Sequence, residues 1–365
     1  MTGQTDSLPL ERPASRGRRR KRVYSPGTPD SRPVQPTARA TDTEPPLRAG
    51  WRIVAAKELA DHLTSVRFIV LTVILGLAAA AAVYSAAGGI RDLASAASGT
   101  PSLFLNLFTF RPEGSQIPNF IFFVTFLAPL LGIAFGFDAV NGERSEGTLP
   151  RLVSQPIHRD DIINGKFVAG LAAIAIIFII ITSLVAAVGV LLLGILPSAE
   201  EVLRLMVWMV LAIAYVGLWL ALALACSIVF RRAATSALVA IAIWLMLTLF
   251  ASLLVGIFAG FLSPVGQDAT SAEQIANATM QQNLARLSPT QLFTEATRAL
   301  LDPGVQTFDI AALVQINAEQ RAIPTLLSFE QSLLVIWPQF VALIAAMVVI
   351  FALAYIAFMR QEVRA

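Results

Sequence analysis

The residues of this chain whose types and spacing offer the most chemistry lie in one short polar segment. It reads Gly142-Glu-Arg-Ser-Glu-Gly147-Thr148-Leu149, and Pro156-Ile-His-Arg159 and Gly165-Lys166 follow it. Glu143, Arg144 and Glu146 suit ion pairs with a partner protein or with the ends of the apolar stretches on either side, and the alternative is that they only solvate a loop. The two glycines and Thr148 also resemble a phosphate-binding loop, but the lysine that should precede the hydroxyl residue is absent. If ATP is used, we expect another chain to bind it.

Catalytic and metal-binding patterns do not occur in the sequence. The single cysteine, Cys226, lies in an apolar stretch and cannot form an intramolecular disulfide, and the two histidines, His62 and His158, lie in separate segments. Neither a Gly-x-Ser-x-Gly elbow nor a His-Glu-x-x-His helix is present. We therefore expect no catalytic residue, no metal site and no cofactor in this chain, and no enzymatic activity of its own.

Composition predicts the elements that must position the polar segment. Of the 365 residues, 56% are hydrophobic and only 14% are charged, which is well outside globular usage. Six stretches approach or exceed the roughly 20 apolar residues that a helix needs to cross about 30 Å of hydrocarbon. They cover residues 68–90, 117–137, 167–196, 205–230, 233–262 and 333–359. The run over residues 174–181 shows no alternation, which excludes a β-barrel, so we predict an all-α polytopic integral membrane protein with six transmembrane helices.

The basic residues predict the orientation, because Lys and Arg are retained on the cytoplasmic side of a membrane. An amino terminus in the cytosol assigns most cations to that side: the run over residues 18–22, Arg144, Arg151, Arg159, Lys166, Arg231, Arg232, Arg360 and Arg364. Six arginines remain outside, scattered over two loops and one span end: Arg91, Arg111, Arg204, Arg286, Arg298 and Arg321. We therefore predict that both termini lie in the cytosol.

The segments around these stretches give the domain organisation. Residues 1–50 are rich in Pro, Ser, Thr and Arg, so we expect a disordered cytoplasmic tail whose basic run contacts anionic lipid rather than nucleic acid. Residues 51–67 carry apolar side chains at helical spacing and predict an interfacial helix. The transmembrane domain covers 68–359, with a cytoplasmic loop at 138–166, external loops at 91–116 and 263–332, and a tail at 360–365.

The longer external loop predicts a small helical layer outside the membrane. Ser288-Pro-Thr-Gln291 has the pattern of a capping box with proline at the first helical position, and the helix should end before Asp302. The predicted apolar stripe consists of Leu292, Phe293, Ala296, Ala299 and Leu300. Asn277-Ala-Thr279 matches a glycosylation sequon, a pattern that is common by chance.

Ionisable residues are nearly absent from the predicted spans, where only Asp138 and Arg204 occur, at span ends. A charged residue at the centre of a membrane helix raises the free energy of insertion by roughly 2.5–3.5 kcal/mol, so such residues are retained where they bind ions or substrate. Proton and sodium carriers usually contain them. The pattern argues against an ion-driven carrier, although sodium sites made of carbonyl and hydroxyl oxygens stay open.

The polar segment, extended to Asp138 on one side and through Gln155-Pro156 on the other, resembles the cytoplasmic signature of ABC-2 type permeases. These are membrane subunits of ATP-binding-cassette (ABC) transporters. The likeness includes Lys57-Glu58, the six-span layout and the Ser288-Pro289 helix that ends in Leu300-Leu-Asp-Pro303, so it covers nearly everything after residue 50. It is nearest to the branch with copper-processing and gliding-associated permeases, but the scarcity of Cys and His gives no support for copper.

The resemblance implies that a separate nucleotide-binding subunit, which holds ATP and Mg²⁺, pushes a short coupling helix in the loop between spans two and three. Thr148 suits the cap of such a helix through Leu152, and Asp160 and Asp161 suit the amino-terminal dipole of span three. The residues to which it assigns coupling are Glu143, Arg144, Glu146, Gly147, Thr148, Leu149, Arg151, Pro156, Arg159 and Lys166. It also implies a second permease subunit, contact with membrane lipid, export by alternating access, and a prokaryotic plasma membrane. The substrate-binding residues are not identified.

Two other classes stay open on the residues alone. A secondary carrier or channel would transport without any ATPase, and a membrane assembly protein would bind partners and transport nothing. An adjacent reading frame that encodes Gly-x4-Gly-Lys-[Ser/Thr] and an ABC signature would favour the transporter subunit.

Overall fold

The computed structural model describes residues 50–96, 102–147, 158–266, 268–302, 304, 307–308, 310 and 326–360, without the side chains of residues 92–96. Within these residues every regular element is helical and no strand occurs. In chain order the helices are α1 (Gly50–Thr64), α2 (Val66–Ala96), α3 (Asn106–Thr109), α4 (Phe120–Gly136), α5 (Asn141–Ser145), α6 (Arg159–Leu193), α7 (Ala199–Val229), α8 (Ala233–Leu249), α9 (Ala251–Leu262), α10 (Ser271–Ala285), α11 (Pro289–Leu301) and α12 (Phe329–Arg360). The all-α prediction is confirmed for this part of the chain.

Five segments are long and apolar enough to cross a membrane: α2, α4 continued through α5, α6, α7 and α12. Helices α8 and α9 meet that criterion only together, and they are bent by 57°. The described residues therefore hold five candidate spans, or six if the bent pair is counted as one. The predicted span over residues 233–262 is broken at Phe250, and the count of six remains a prediction.

A side chain from a later helix occupies the break between α8 and α9. The hydroxyl of Ser288 donates to the carbonyl of Leu247, 2.9 Å away, in the last turn of α8. A side chain inserted into a helical hydrogen-bond ladder is a common cause of a sharp bend. The capping box predicted at Ser288 is therefore wrong, because this hydroxyl makes no cap bond to its own helix.

Helix α7 is the centre of the bundle, and most of its residues are buried inside the protein. Glycines let α4 approach it closely: a Cβ added at Gly132 would lie 2.5 Å from the carbonyl oxygen of Val216, and one at Gly136 would lie 2.8 Å from the Cβ of Ala223. Small residues are favoured at such contacts in membranes because they let backbones meet.

Helix α11 packs along the first half of α7, and its position relative to a membrane remains a prediction. The ring of Phe293 stacks on that of Tyr215 in the middle of α7, with 4.4 Å between centroids, while the carbonyl of Leu300 accepts from Arg204 near the start of α7. Of the predicted apolar stripe, Phe293, Ala296, Ala299 and Leu300 are completely buried and Leu292 is partly buried. The apolar stripe is confirmed, and it is buried against other helices of the same chain.

A buried arginine closes the end of the bundle where α7 begins, which we call the Arg204 end. The guanidinium of Arg204 is 1% exposed and pairs with Glu200 at 2.8 Å. It also donates to the carbonyls of Leu300 and Leu327 and to the hydroxyl of Ser332. These bonds join α7 to α11 and to α12. The opposite end, which carries α1, α5 and the start of α6, is the α5 end.

Candidate functional site

The first turn of α5 is fixed to the end of α7 by a buried hydroxyl. The backbone N–H groups of Val140 and Asn141 both donate to Ser227 Oγ, at 3.0 and 3.1 Å. The amide of Asn141 donates to the carbonyls of Phe137 and Phe230. The orphan donors of a helix start are thus satisfied by another helix. As a result, α5 is attached to the central helix of the bundle at its base.

A buried lysine joins α5 to two further helices. Lys166, in the second turn of α6, has a side chain that is only 4% exposed, and its Nζ lies 2.7 Å from Glu143 Oε1 and 3.0 Å from Glu58 Oε1. Glu143 is on α5 and Glu58 is on α1. A buried ammonium is tolerated when opposite charges surround it with good hydrogen-bond geometry. Lys166 therefore couples α1, α5 and α6 through one charged group, which we call the Lys166 cluster.

The charges of this cluster are mutually reinforcing. Burial raises the pKa of Glu58, but the ammonium groups of Lys166 and Lys57 outweigh burial and bring the pKa below its ordinary value of 4.5. Burial likewise lowers the pKa of Lys57, but hydrogen bonds and charge from Asp61 and Glu58 outweigh it and raise the pKa above 10.5. Both groups are charged at neutral pH. The neighbouring His62 packs on the ring of Phe135, and burial lowers its pKa below 6.5.

Helix α1 is docked along the first turns of α6. The backbone N–H of Trp51 donates to Asp161 Oδ1 at 3.0 Å, and a Cβ added at Gly165 would lie 2.7 Å from the side chain of Val54. Asp161 therefore holds α1 in addition to lying in the first turn of α6, where the sequence suggested only a dipole effect. Predicted as interfacial, residues 51–67 do form a helix over most of their length, and its position relative to a membrane remains a prediction.

An ion pair joins the start of α2 to the end of α4. Arg67 Nη1 lies 2.6 Å from Asp138 Oδ2, and the same guanidinium lies 5.0 Å from the ring centroid of Phe137. Together with the Lys166 cluster and Ser227, this contact fastens the polar segment to α1, α2, α6 and α7. These contacts bury and fix the first turn of α5, so a force applied to its exposed end would be passed to the helices that hold it.

The structure brings together some of the predicted coupling residues and leaves others apart. Glu143 and Lys166 are in contact, while Glu146 and Gly147 are exposed beyond the end of α5. Arg144 and Arg159 are half-buried on α5 and at the start of α6. Thr148, Leu149, Arg151 and Pro156 lie outside the described residues, and so does the predicted helix through Leu152.

Sequence reasoning missed Ser227 and the contact of Arg67 with Asp138. Ser227 is a hydroxyl residue near the end of an otherwise apolar helix, which is a signal that the sequence offers for a buried hydrogen-bond role. Two capping boxes were also not predicted, although both fit the Ser/Thr-x-x-Glu pattern. They are formed by Ser198 with Glu201 and by Thr270 with Glu273. The sequon residue Asn277 is buried, and its amide donates to the carbonyls of Ala259 and Ser263, so this side chain is not presented to solvent.

Comparison with known proteins places this geometry in context. A family model described as ABC-2 family transporter protein matches residues 52–363. The chain is similar to a probable ABC transporter permease protein NosY of Stutzerimonas stutzeri, with 34% identity over 118 residues, or 32% of this chain and 37% of that protein. It is also similar to a protein of the same description from Pseudomonas aeruginosa, strain PAO1, with 31% identity over 117 residues and the same two shares. The matches thus span little more than a third of the length of these curated relatives.

Proposed function

Because this chain belongs to the ABC-2 family of transporter proteins, we propose that it is the permease subunit of an ABC transporter and is driven by ATP hydrolysis in a separate subunit. The nucleotide-binding subunit would hold ATP and Mg²⁺ and would touch the polar segment that follows α4. The permease would pair with a second permease subunit in the plasma membrane of a prokaryote, with both termini in the cytosol. It would export its substrate by alternating access.

The observation that carries this proposal is the Lys166 cluster. A partner that pushes on the exposed end of α5, at Glu146 and Gly147, acts on an element whose base is tied to α1 and α6 through Glu143 and Lys166. Interiors that are closely packed transmit displacement rather than absorb it. The push would therefore move together the helices that meet at the α5 end. Transport that is driven by ATP hydrolysis in a separate subunit requires such a coupled movement.

Site-directed crosslinking tests the proposed partner and its place of contact. Cys226 is buried and is the only cysteine, so Cys226→Ala gives a background without thiols. In this background, Glu146→Cys places a thiol at the exposed end of α5, and Glu273→Cys places a matched thiol on α10. The full chain is co-expressed with a candidate ABC ATPase subunit and treated with a short heterobifunctional reagent that joins the introduced thiol to lysine amines of the partner.

We expect a crosslink to the ATPase from Glu146→Cys and none from Glu273→Cys. A crosslink only from Glu273→Cys, or none from Glu146→Cys in a complex that still copurifies, would overturn the proposed contact. Transport in vesicles without any ATPase would favour a secondary carrier instead. An ATPase that copurifies but is not stimulated by any transported compound would favour an assembly protein.

A further inference from the structure

A groove opens between α2 and α6 in the half of the bundle nearer the Arg204 end. Its volume is about 710 Å³, within the range of sites that enclose small ligands. The walls are mostly apolar, with Ala80, Val83 and Gly88 on α2 and Leu184, Val188 and Leu192 on α6. The groove is far from the Lys166 cluster and plays no part in the proposed coupling.

The groove exists because α2 carries very small residues where it faces α6. A Cβ added at Gly88 would meet no atom within 4 Å, whereas one added at Gly89 would lie 2.6 Å from the ring of Phe110. Helix α2 is therefore tightly packed on one side and open on the groove side. Apolar side chains that line an unfilled gap lose dispersion contacts, so an apolar occupant would stabilise this region.

The position of the groove along α2 matches one leaflet of a bilayer. The stretch of α2 from Arg67 to Arg91 is about 36 Å long at a rise of ~1.5 Å per residue. A hydrocarbon core is about 30 Å thick, so two arginines at this separation both reach headgroup level. The groove runs from Ala79 to Arg91, which is about 18 Å, or roughly one leaflet.

The polar end of the groove is cationic. Arg91 is exposed and lines the groove, and among the described residues no carboxylate lies within ion-pair distance of it. Tyr84, which is 84% exposed, adds a phenol at the rim. A guanidinium binds phosphate oxygens through paired hydrogen bonds, and basic residues beside spans recognise anionic lipid headgroups.

We propose that this groove binds an anionic phospholipid, with one acyl chain between α2 and α6 and the phosphate on Arg91. A flexible acyl chain fills the irregular floor left by the alanines and Gly88, and the phosphate of the lipid places a negative charge beside the guanidinium of Arg91. A second copy of the chain would present a helix of about 10 Å diameter, which offers apolar contact but no counter-charge that the described residues identify. The proposal does not depend on the transport function.

Native mass spectrometry of the full chain, released from detergent with added phosphatidylglycerol or phosphatidylcholine, tests the site. We expect phosphatidylglycerol to bind more tightly than phosphatidylcholine. We expect Arg91→Gln to reduce the ratio of the two affinities by about fivefold, which is the contribution of one arginine at an anionic surface. Gly88→Leu should weaken binding of both lipids, because an added Cβ at this position meets no atom within 4 Å and the leucine side chain would occupy the open groove.

Two matched variants control for unrelated effects. Gly76→Leu lies on the same helix, where an added Cβ also meets no atom within 4 Å, but outside the groove, and Arg298→Gln removes an exposed arginine elsewhere. Both should bind lipid as the unmodified chain does. Equal lipid binding by Gly88→Leu, Arg91→Gln and the unmodified chain would overturn the proposal. So would a Gly88→Leu variant that alters the monomer–dimer ratio and leaves lipid binding unchanged, which would assign the groove to a second copy.

Discussion

Glu143 Oε1 and Lys166 Nζ lie 2.7 Å apart, and this contact links the short helix after α4 to the first turns of α6. Lys166 retains Glu58 as a second partner, so the two carboxylates have different roles. Glu58 anchors α1, and Glu143 connects the part of the polar segment that a partner could touch. Variants of the two residues should therefore differ in what they impair.

Replacing Glu143 by Ala should uncouple ATP hydrolysis from transport. We expect transport to fall by about tenfold or more, equivalent to ~1.4 kcal/mol of lost coupling, while membrane insertion stays intact because Glu58 still pairs with Lys166. The measurement is substrate transport and ATPase activity of the reconstituted complex. Glu113→Ala, which removes an exposed carboxylate at the other end of the bundle, is the control. Normal transport by Glu143→Ala would contradict the assigned role.

Replacing Lys166 by Met should destabilise the fold itself. Two carboxylates would lose their shared cation in a buried site, and breaking a buried ion pair by removing one partner costs about 3–5 kcal/mol. Thermal unfolding of the purified chain should show a lower midpoint. The triple variant Lys166→Met, Glu58→Gln, Glu143→Gln should recover much of the loss, and failure to recover would mean that charge is not the cause.

The Ser227 hydroxyl should contribute to stability far more than its size suggests. In Ser227→Ala the backbone N–H groups of Val140 and Asn141 lose their acceptor, and a buried unsatisfied donor costs about 1–3 kcal/mol. Ser236→Ala is the matched control, because Ser236 is equally buried and its hydroxyl has no hydrogen-bond partner among the described residues. The unfolding midpoint should fall for Ser227→Ala alone, and equal midpoints would refute the anchor.

Acid should loosen α1 through Glu58. The folded pKa of Glu58 lies below its ordinary value of 4.5, so its stabilising contribution is complete above that value and is lost as the pH falls below it. The protection factors of α1 amides against hydrogen exchange, which are corrected for the intrinsic exchange rate at each pH, should therefore fall below about pH 4.5 in the unmodified chain. Glu58→Gln should show faster exchange at neutral pH and a weaker dependence on pH in that window.

Helix type and helix position were largely predictable from the sequence, whereas contacts between helices were not. Continuous apolar stretches longer than a bilayer is thick specify helices without reference to the rest of the chain, as for α6 and α12. The contact at the break near Phe250 was not predictable, because the Ser288 hydroxyl that donates to the last turn of α8 is distant in sequence. In the same way, Glu143 and Lys166 could be singled out as charged residues, but their sharing of one site with Glu58 is a tertiary fact.

The contacts of Arg204 have a consequence for the biogenesis of this protein. Its guanidinium belongs to α7 but needs the carbonyl of Leu327 and the hydroxyl of Ser332, which are synthesised more than a hundred residues later. Until α12 emerges from the ribosome and inserts, the guanidinium of Arg204 has only part of its hydrogen-bond partners, and the site against which the end of α11 packs is incomplete. Helix α12 therefore completes the contacts of a helix that was synthesised much earlier.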